Sequence, residues 1–120
     1  KKGSHIFGMT SSGSQRQWKS YGAVSMAKSV LESACRQMAL ELAPHGIASN
    51  AIMAGVTDTP ALRKIPGNDR MIDHAIAVNP HGRLTSTKDI GDAVTLIGLS
   101  ESSWITGNTI RADGGENITG

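Results

Sequence analysis

The sequence is short of the residues that mark several protein classes. Its 120 residues hold one cysteine, Cys35, so no disulfide can form within the chain. That removes the disulfide-stapled classes and fits a reducing compartment. Cys35 sits in an apolar helical pattern and reads as a small buried hydrophobe. No stretch reaches the roughly 18 consecutive apolar residues of a membrane span. Lys1-Lys2-Gly3-Ser4-His5 is not followed by a signal-peptide core. The expectation is a soluble, cytoplasmic protein with no membrane partner. Net charge is only +2 and the Lys and Arg residues are scattered, so a nucleic-acid partner is not expected. His5, His45, His74 and His81 show no metal-ligand spacing and read as surface or turn residues, so no metal site is assigned. A glycine-rich phosphate turn of the form Gly-x-Gly-x-x-Gly or Gly-x-x-x-Gly-x-Gly after a strand is also lacking.

What is present has a clear order. His5-Ile6-Phe7-Gly8-Met9 reads as a buried strand, bounded by Gly3 and by the Ser/Gly cluster from Thr10 to Ser14. Gln15 to Ser20 is a polar loop. From Tyr21 the period becomes helical, with Val24, Ala27, Leu31, Ala34, Met38 and Leu42 as one apolar stripe. Pro44-His45-Gly46 stops that helix. Ile47 to Met53 is a second strand, followed by a Gly/Thr/Asp loop over Ala54 to Pro60. Ala61 to Val78 is less regular: Pro66-Gly67-Asn68 makes a turn and Asp69 to Val78 a short helix. Pro80-His81-Gly82-Arg83 is another turn. Ser86 and Asp89 form a capping box, from which Ile90, Val94, Ile97 and Leu99 give a helix ending near Ser100. Thr109 to Ala112 is a last strand before Asp113-Gly114-Gly115.

Strands alternating with helices imply parallel pairing and an α/β sheet. Three short strands do not complete a doubly wound sheet, which needs about twice as many. The chain therefore reads either as an unusual small α/β domain or as the second half of a larger one.

The most chemical stretch is Ser20-Tyr21-Gly22-Ala23-Val24-Ser25-Met26-Ala27-Lys28. Tyr21 and Lys28 are seven residues apart, about two helical turns, so a phenol and an ammonium share one face roughly 10 Å apart along the axis. The run Thr10-Ser11-Ser12 lies just upstream, and Ser11 precedes Lys28 by seventeen residues.

Several motifs occur in order: Thr10-Ser11-Ser12, the Tyr21–Lys28 helix, Asn50 to Thr59, Gly82-Arg83-Leu84 with Asp89-Ile90, and Ile105 to Ile110 through Asp113-Gly114-Gly115. Together they resemble the C-terminal half of the short-chain dehydrogenase/reductase family over essentially the whole chain. The resemblance implies a Rossmann-type doubly wound parallel sheet. Residues 1–120 would be its C-terminal half, without the nucleotide-binding half, and would neither fold stably nor bind nucleotide alone. Ordinary members place the catalytic Tyr four residues before the Lys, where this chain has Val24. Tyr-x6-Lys instead resembles the divergent enoyl-acyl-carrier-protein reductases, most of which have a second Tyr at the position of Ser11. Retention of Ser11, with Thr57-Asp58-Thr59-Pro60-Ala61-Leu62, is most similar to their NADPH-using, triclosan-tolerant type. Ala54 stands where the wider family usually has Pro.

The resemblance implies reduction of the 2,3 double bond of an acyl-carrier-protein thioester in fatty-acid synthesis. Tyr21 would donate to the enolate oxygen, and Lys28 would support the phenol and hold the nicotinamide ribose. Ser11 either hydrogen-bonds the substrate carbonyl or only closes a strand end. Gly55, Val56, Thr57 and Thr59 would receive the nicotinamide, with backbone near Val56 and the Thr59 hydroxyl meeting its carboxamide. Trp18 lines the acyl pocket or merely packs the loop; Ala61, Leu62, Ile65 and Met71 would touch the acyl chain. The cofactor would be NADPH, with NADH not excluded, because the selecting residues lie in the other half. A homotetramer built through the Tyr21 helix and the Asp89–Ser100 helix follows by the same analogy. The rival readings are a carbonyl or hydroxysteroid-type dehydrogenase, which Ser11 would suit, and a catalytically silent relative.

Overall fold

The computed structural model describes residues 1–119. Three strands, β1 (His5–Ser11), β2 (Ala48–Ala54) and β3 (Thr109–Ala112), form one parallel sheet in the order β1-β2-β3. The register pairs His5 with Ala48 and Ser11 with Ala54, so β1 and β2 end together. Between strands run α1 (Gly22–Leu42), the short α2 (Pro60–Arg63), α3 (Asn68–Val78) and α4 (Thr87–Gly98).

The two faces of β1 reveal the layering, because successive side chains on a strand point to opposite sides. A Cβ on Gly8 would lie 2.7 Å from Cys35 Sγ and 3.2 Å from Leu31 Cγ, so this face meets α1. The Phe7 ring lies 3.5 Å from where a Cβ on Gly98 would be, so the other face meets the end of α4. Helices therefore cover both faces. This is the Rossmann-like α/β arrangement expected of the sequence.

That close approach at Gly8 corrects the expected apolar stripe of α1. Val24, Ala27 and Ala34 are exposed, and the buried row is Ser25, Glu32, Cys35 and Ala39. A helix seated tightly on a sheet needs small side chains at the contact, and hydrophobicity does not select for smallness. Glu32 is tolerated there because its carboxylate accepts from Thr10 Oγ1 at 2.8 Å and from Thr109 Oγ1 at 3.5 Å. Cys35 is buried, as expected of a small hydrophobe.

The central strand β2 is buried from Ala48 to Met53. Its polar Asn50 ties two segments together. The Asn50 Nδ2 donates to the Ile105 carbonyl at 2.8 Å, and Oδ1 accepts from Asn108 N at 3.1 Å. These bonds pin the segment entering β3. Boundaries elsewhere shift by one or two residues: β1 runs on to Ser11, β2 begins at Ala48, α3 starts at Asn68, and α4 stops at Gly98. The stretch Pro60–Arg63, loop and irregular chain by its sequence pattern, is a short helix, because Pro60 pre-sets its first position and Thr59 caps it. No helix among the described residues is long and apolar enough to cross a membrane.

Candidate active site at the strand ends

Parallel sheets leave the carboxyl ends of their strands as the place where ligands bind. Here the end of β1 gathers Ser11, Gly13, Tyr21 and Lys28. A 3-10 turn over Ser12–Ser14 follows β1, and Ser11 opens it by accepting from Gly13 N at 3.3 Å. The chain then loops back so that Tyr21 sits at the residue before the first turn of α1. Ser20, just before it, adopts φ 64°, the only non-glycine in the left-handed region among the described residues.

The reversal lays the Tyr21 ring over Gly13. A Cβ on Gly13 would collide with Tyr21 Cε1 and lie 3.0 Å from the phenolic oxygen. Trp18 packs edge-on against the same ring, with centroids 4.9 Å apart and planes at 65°. Two turns further along α1, Lys28 Nζ donates to the Met9 carbonyl at 2.9 Å. Thus Tyr21 meets Gly13 and Lys28 meets Met9, with Ser11 between them on the strand. Val24, which stands where ordinary members of the resembled family have their phenol, is 43% exposed.

The end of β2 supplies the second wall. Gly55 is forced by crowding: a Cβ would lie 2.5 Å from Thr85 Oγ1 and 3.1 Å from Asp113 Cβ. Beyond it, Thr57 forms a parallel bridge with Thr85. The bridge bonds run from Thr85 N to the Val56 carbonyl at 3.1 Å and from Asp58 N to the Thr85 carbonyl at 3.2 Å. Alternation along the backbone then turns the N–H and C=O of Thr57 away from Thr85, toward the open side. Val56, by contrast, is occupied twice, since its N–H donates to both carboxylate oxygens of Glu116 at 3.2 Å. The open backbone pair in this loop therefore belongs to Thr57, one residue beyond Val56.

Thr59 uses its hydroxyl to cap α2, accepting from Leu62 N at 3.2 Å. Of the residues assigned to the acyl chain, Leu62 is buried, Met71 half-buried, and Ala61 and Ile65 exposed.

Two site residues carry no sequence signal of their role. Gly13 shows nothing to say that an aromatic ring will lie on it, beyond being a glycine two places after Ser11. Glu116 follows the Gly114-Gly115 turn with nothing local to mark it. Burial pushes the Glu116 carboxyl above its ordinary value, with Asp113 adding to the rise; the Val56 N–H, Arg16 and His74 oppose it.

The layered α/β fold, with a Tyr and a Lys projected from one helix to the carboxyl end of a parallel strand, defines a short-chain dehydrogenase/reductase architecture. Similarity to known proteins narrows the class. A family model described as enoyl-(acyl carrier protein) reductase matches residues 1–117, and the chain belongs to that family. The enoyl-[acyl-carrier-protein] reductase [NADH] of Aquifex aeolicus is 33% identical over 108 residues, covering 90% of this chain and 40% of the relative. A structure of the Bacillus cereus enoyl-acyl carrier protein reductase with NADP+ and indole naphthyridinone superposes with TM-score 0.89 at 28% identity, over 98% of this chain and 46% of that one. The promiscuous reductase LugOII, which catalyses a keto-reduction, gives TM-score 0.81 at 33% identity, over 98% of this chain and 46% of that one. The chain spans less than half the length of these relatives.

Proposed function

We propose that these residues form the C-terminal, catalytic half of an NAD(P)H-dependent enoyl-acyl-carrier-protein reductase acting in the cytoplasm. The observation that carries the reading is the phenol of Tyr21, seven residues before Lys28 and seated on Gly13 at the strand end.

Hydride addition to the β-carbon of a 2-enoyl thioester moves electron density through the α-carbon onto the thioester oxygen. The bound nicotinamide nucleotide supplies that hydride. The chain's own part is to hold the developing charge: the Tyr21 O–H donates to the enolate oxygen, and the Lys28 ammonium adds a positive field and a donor for the nucleotide ribose. The Thr57 N–H and C=O, turned to the open side, suit a carboxamide, which carries one acceptor and two donors. Trp18, against the Tyr21 ring, borders the space for the acyl chain. Ser11 is engaged in its turn only as an acceptor, so its hydroxyl proton is free for a substrate carbonyl.

The resemblance of Ser11 and of the run from Thr57 to Leu62 to the NADPH-using, triclosan-tolerant type supports NADPH as cofactor and tolerance to triclosan. The Aquifex relative carries NADH in its name, while the Bacillus structure was obtained with NADP+, so the two nucleotides form two arms of the test.

The test follows nicotinamide absorbance with full-length protein, each nucleotide in turn, and either a 2-enoyl or a 3-oxoacyl thioester. Turnover of the enoyl substrate is expected, with NADPH preferred. Tyr21→Phe should lower kcat by about a hundredfold or more, the scale of losing one oxyanion donor, while leaving nucleotide binding intact. Turnover of the 3-oxoacyl thioester alone would move the protein to the carbonyl-reductase reading, which the LugOII likeness and Ser11 favour.

A further inference from the structure

The contact between Glu116 and Val56 joins the C-terminal turn to the loop that ends β2, and nothing in the catalytic scheme uses it. Both carboxylate oxygens lie 3.2 Å from Val56 N. Glu116 Oε1 is also 3.2 Å from where a Cβ on Gly55 would stand, so the carboxylate is packed against the loop. The acceptor is itself held in place. Buried Asp113 takes Gly115 N on Oδ1 at 3.0 Å and Asn117 N on Oδ2 at 3.1 Å, fixing the turn on which Glu116 rides. Arg16, from the segment after β1, donates to Asn117 Oδ1 at 2.9 Å.

We propose that Glu116 is a positioning residue for the nicotinamide end of the cofactor, acting through the Val56 amide. This rests on the reading of the site given above. With its carbonyl on Thr85 and its N–H on Glu116, Val56 is fixed on both sides. The two peptides that carry the Thr57 N–H and C=O are held by the bridge to Thr85, and the Gly55–Val56 peptide that leads into them is held by Glu116. Gly55 precedes the pair, and a glycine offers the peptide little steric resistance to rotation. Without the Glu116 acceptor, the Gly55–Val56 peptide loses its partner and the Thr57 pair keeps only the Thr85 side of its support.

The test measures binding of NADPH, NADH and ADP-ribose (or its 2′-phosphate) to full-length protein, comparing wild type with Glu116→Leu and Glu116→Gln. ADP-ribose lacks the nicotinamide ring and reports the rest of the nucleotide site. In Glu116→Leu the dinucleotide Kd should rise about tenfold, the scale of one lost charge-assisted hydrogen bond, while the ADP-ribose Kd stays unchanged. Glu116→Gln keeps an acceptor oxygen and should return to within about twofold of wild type. An unchanged dinucleotide Kd in Glu116→Leu overturns the proposal. So does an equal loss of ADP-ribose binding, which marks a merely structural role, or a Gln variant no better than Leu. A wild-type protein that binds neither dinucleotide sinks the parent reading, and this inference with it.

Discussion

Gly13 is where the site is most sensitive to one atom. The Tyr21 ring occupies the volume a side chain would need, with the phenolic oxygen 3.0 Å and Cζ 3.1 Å from a hypothetical Cβ. Gly13→Ala must push the ring aside, and displacing a reacting group by about 1 Å costs on the order of a hundredfold in rate. The expected outcome is kcat reduced to near the Tyr21→Phe level, with thermal stability lowered far less; a fully active Gly13→Ala enzyme would refute the placement. Glu116 carries a second prediction, in pH. Its folded carboxyl pKa is raised, chiefly by burial, so the ionised form is less favourable in the folded state than in the unfolded chain. Its contribution to stability is complete below the ordinary glutamate value and is lost as pH rises through the folded one. Glu116→Gln should therefore flatten the pH dependence of urea midpoints in that window, and a wild-type slope in the variant would contradict it.

The elements differ in how far local sequence determines them. The start of α4 is written in four residues: Ser86 Oγ accepts from Asp89 N at 3.2 Å, and the Asp89 carboxylate accepts from Ser86 N at 2.8 Å, the capping box expected from the sequence. Arg83 adds two bonds to Asp89, at 2.7 and 3.0 Å. Ser86→Ala should cost about 1 kcal/mol by urea melting, the usual worth of an N-cap. Asp89 titrates with the opposite sign to Glu116. The Arg83 hydrogen bonds, then those from Ser86, hold its carboxyl well below the usual range, so its contribution is present above the ordinary aspartate value and lost as pH falls toward the folded one. In Asp89→Asn this acid-side loss should disappear; a wild-type acid limb in that variant would argue against the pairing. Local signals of this kind made α4, the last strand and the Tyr21–Lys28 helix legible. The buried row of α1 was not, because it depends on how close Gly8 lets the helix approach. Within the site, the spacing of Ser11, Tyr21 and Lys28 could be read along the chain. The meetings of Tyr21 with Gly13 and of Val56 with Glu116 join residues 8 and 60 apart, and no pattern along the chain encodes which of them meet.

On the scale of the molecule, apolar surface remains on the outside. Met26, Val30 and Leu40 are 66%, 68% and 72% exposed on α1, and Leu96 is 79% exposed on α4, with Leu99 at 79% just beyond it and Trp104 at 92%. Met26, Val30, Ser33, Gln37 and Leu40 alternate steps of four and three, the spacing by which one helix packs along another. Among the described residues β1 pairs only with β2, so its outer edge carries unpaired backbone, met at one point by Lys28 on the Met9 carbonyl. Edges and apolar faces of this kind call for cover. Two outcomes are expected. The 120 residues expressed alone should melt broadly and bind a hydrophobic dye, whereas a sharp cooperative melt would show that the chain needs no further cover. The full-length protein should run as a homotetramer in sedimentation, with the outer faces of α1 and α4 covered by other copies. Val30→Glu combined with Leu40→Glu would place carboxylates in such an interface, where an unpaired buried charge is strongly unfavourable. The variant should dissociate to smaller species while keeping its secondary structure by circular dichroism. A tetramer that survives both substitutions would assign the outer face of α1 to solvent and leave only α4 and its neighbours to hold the assembly.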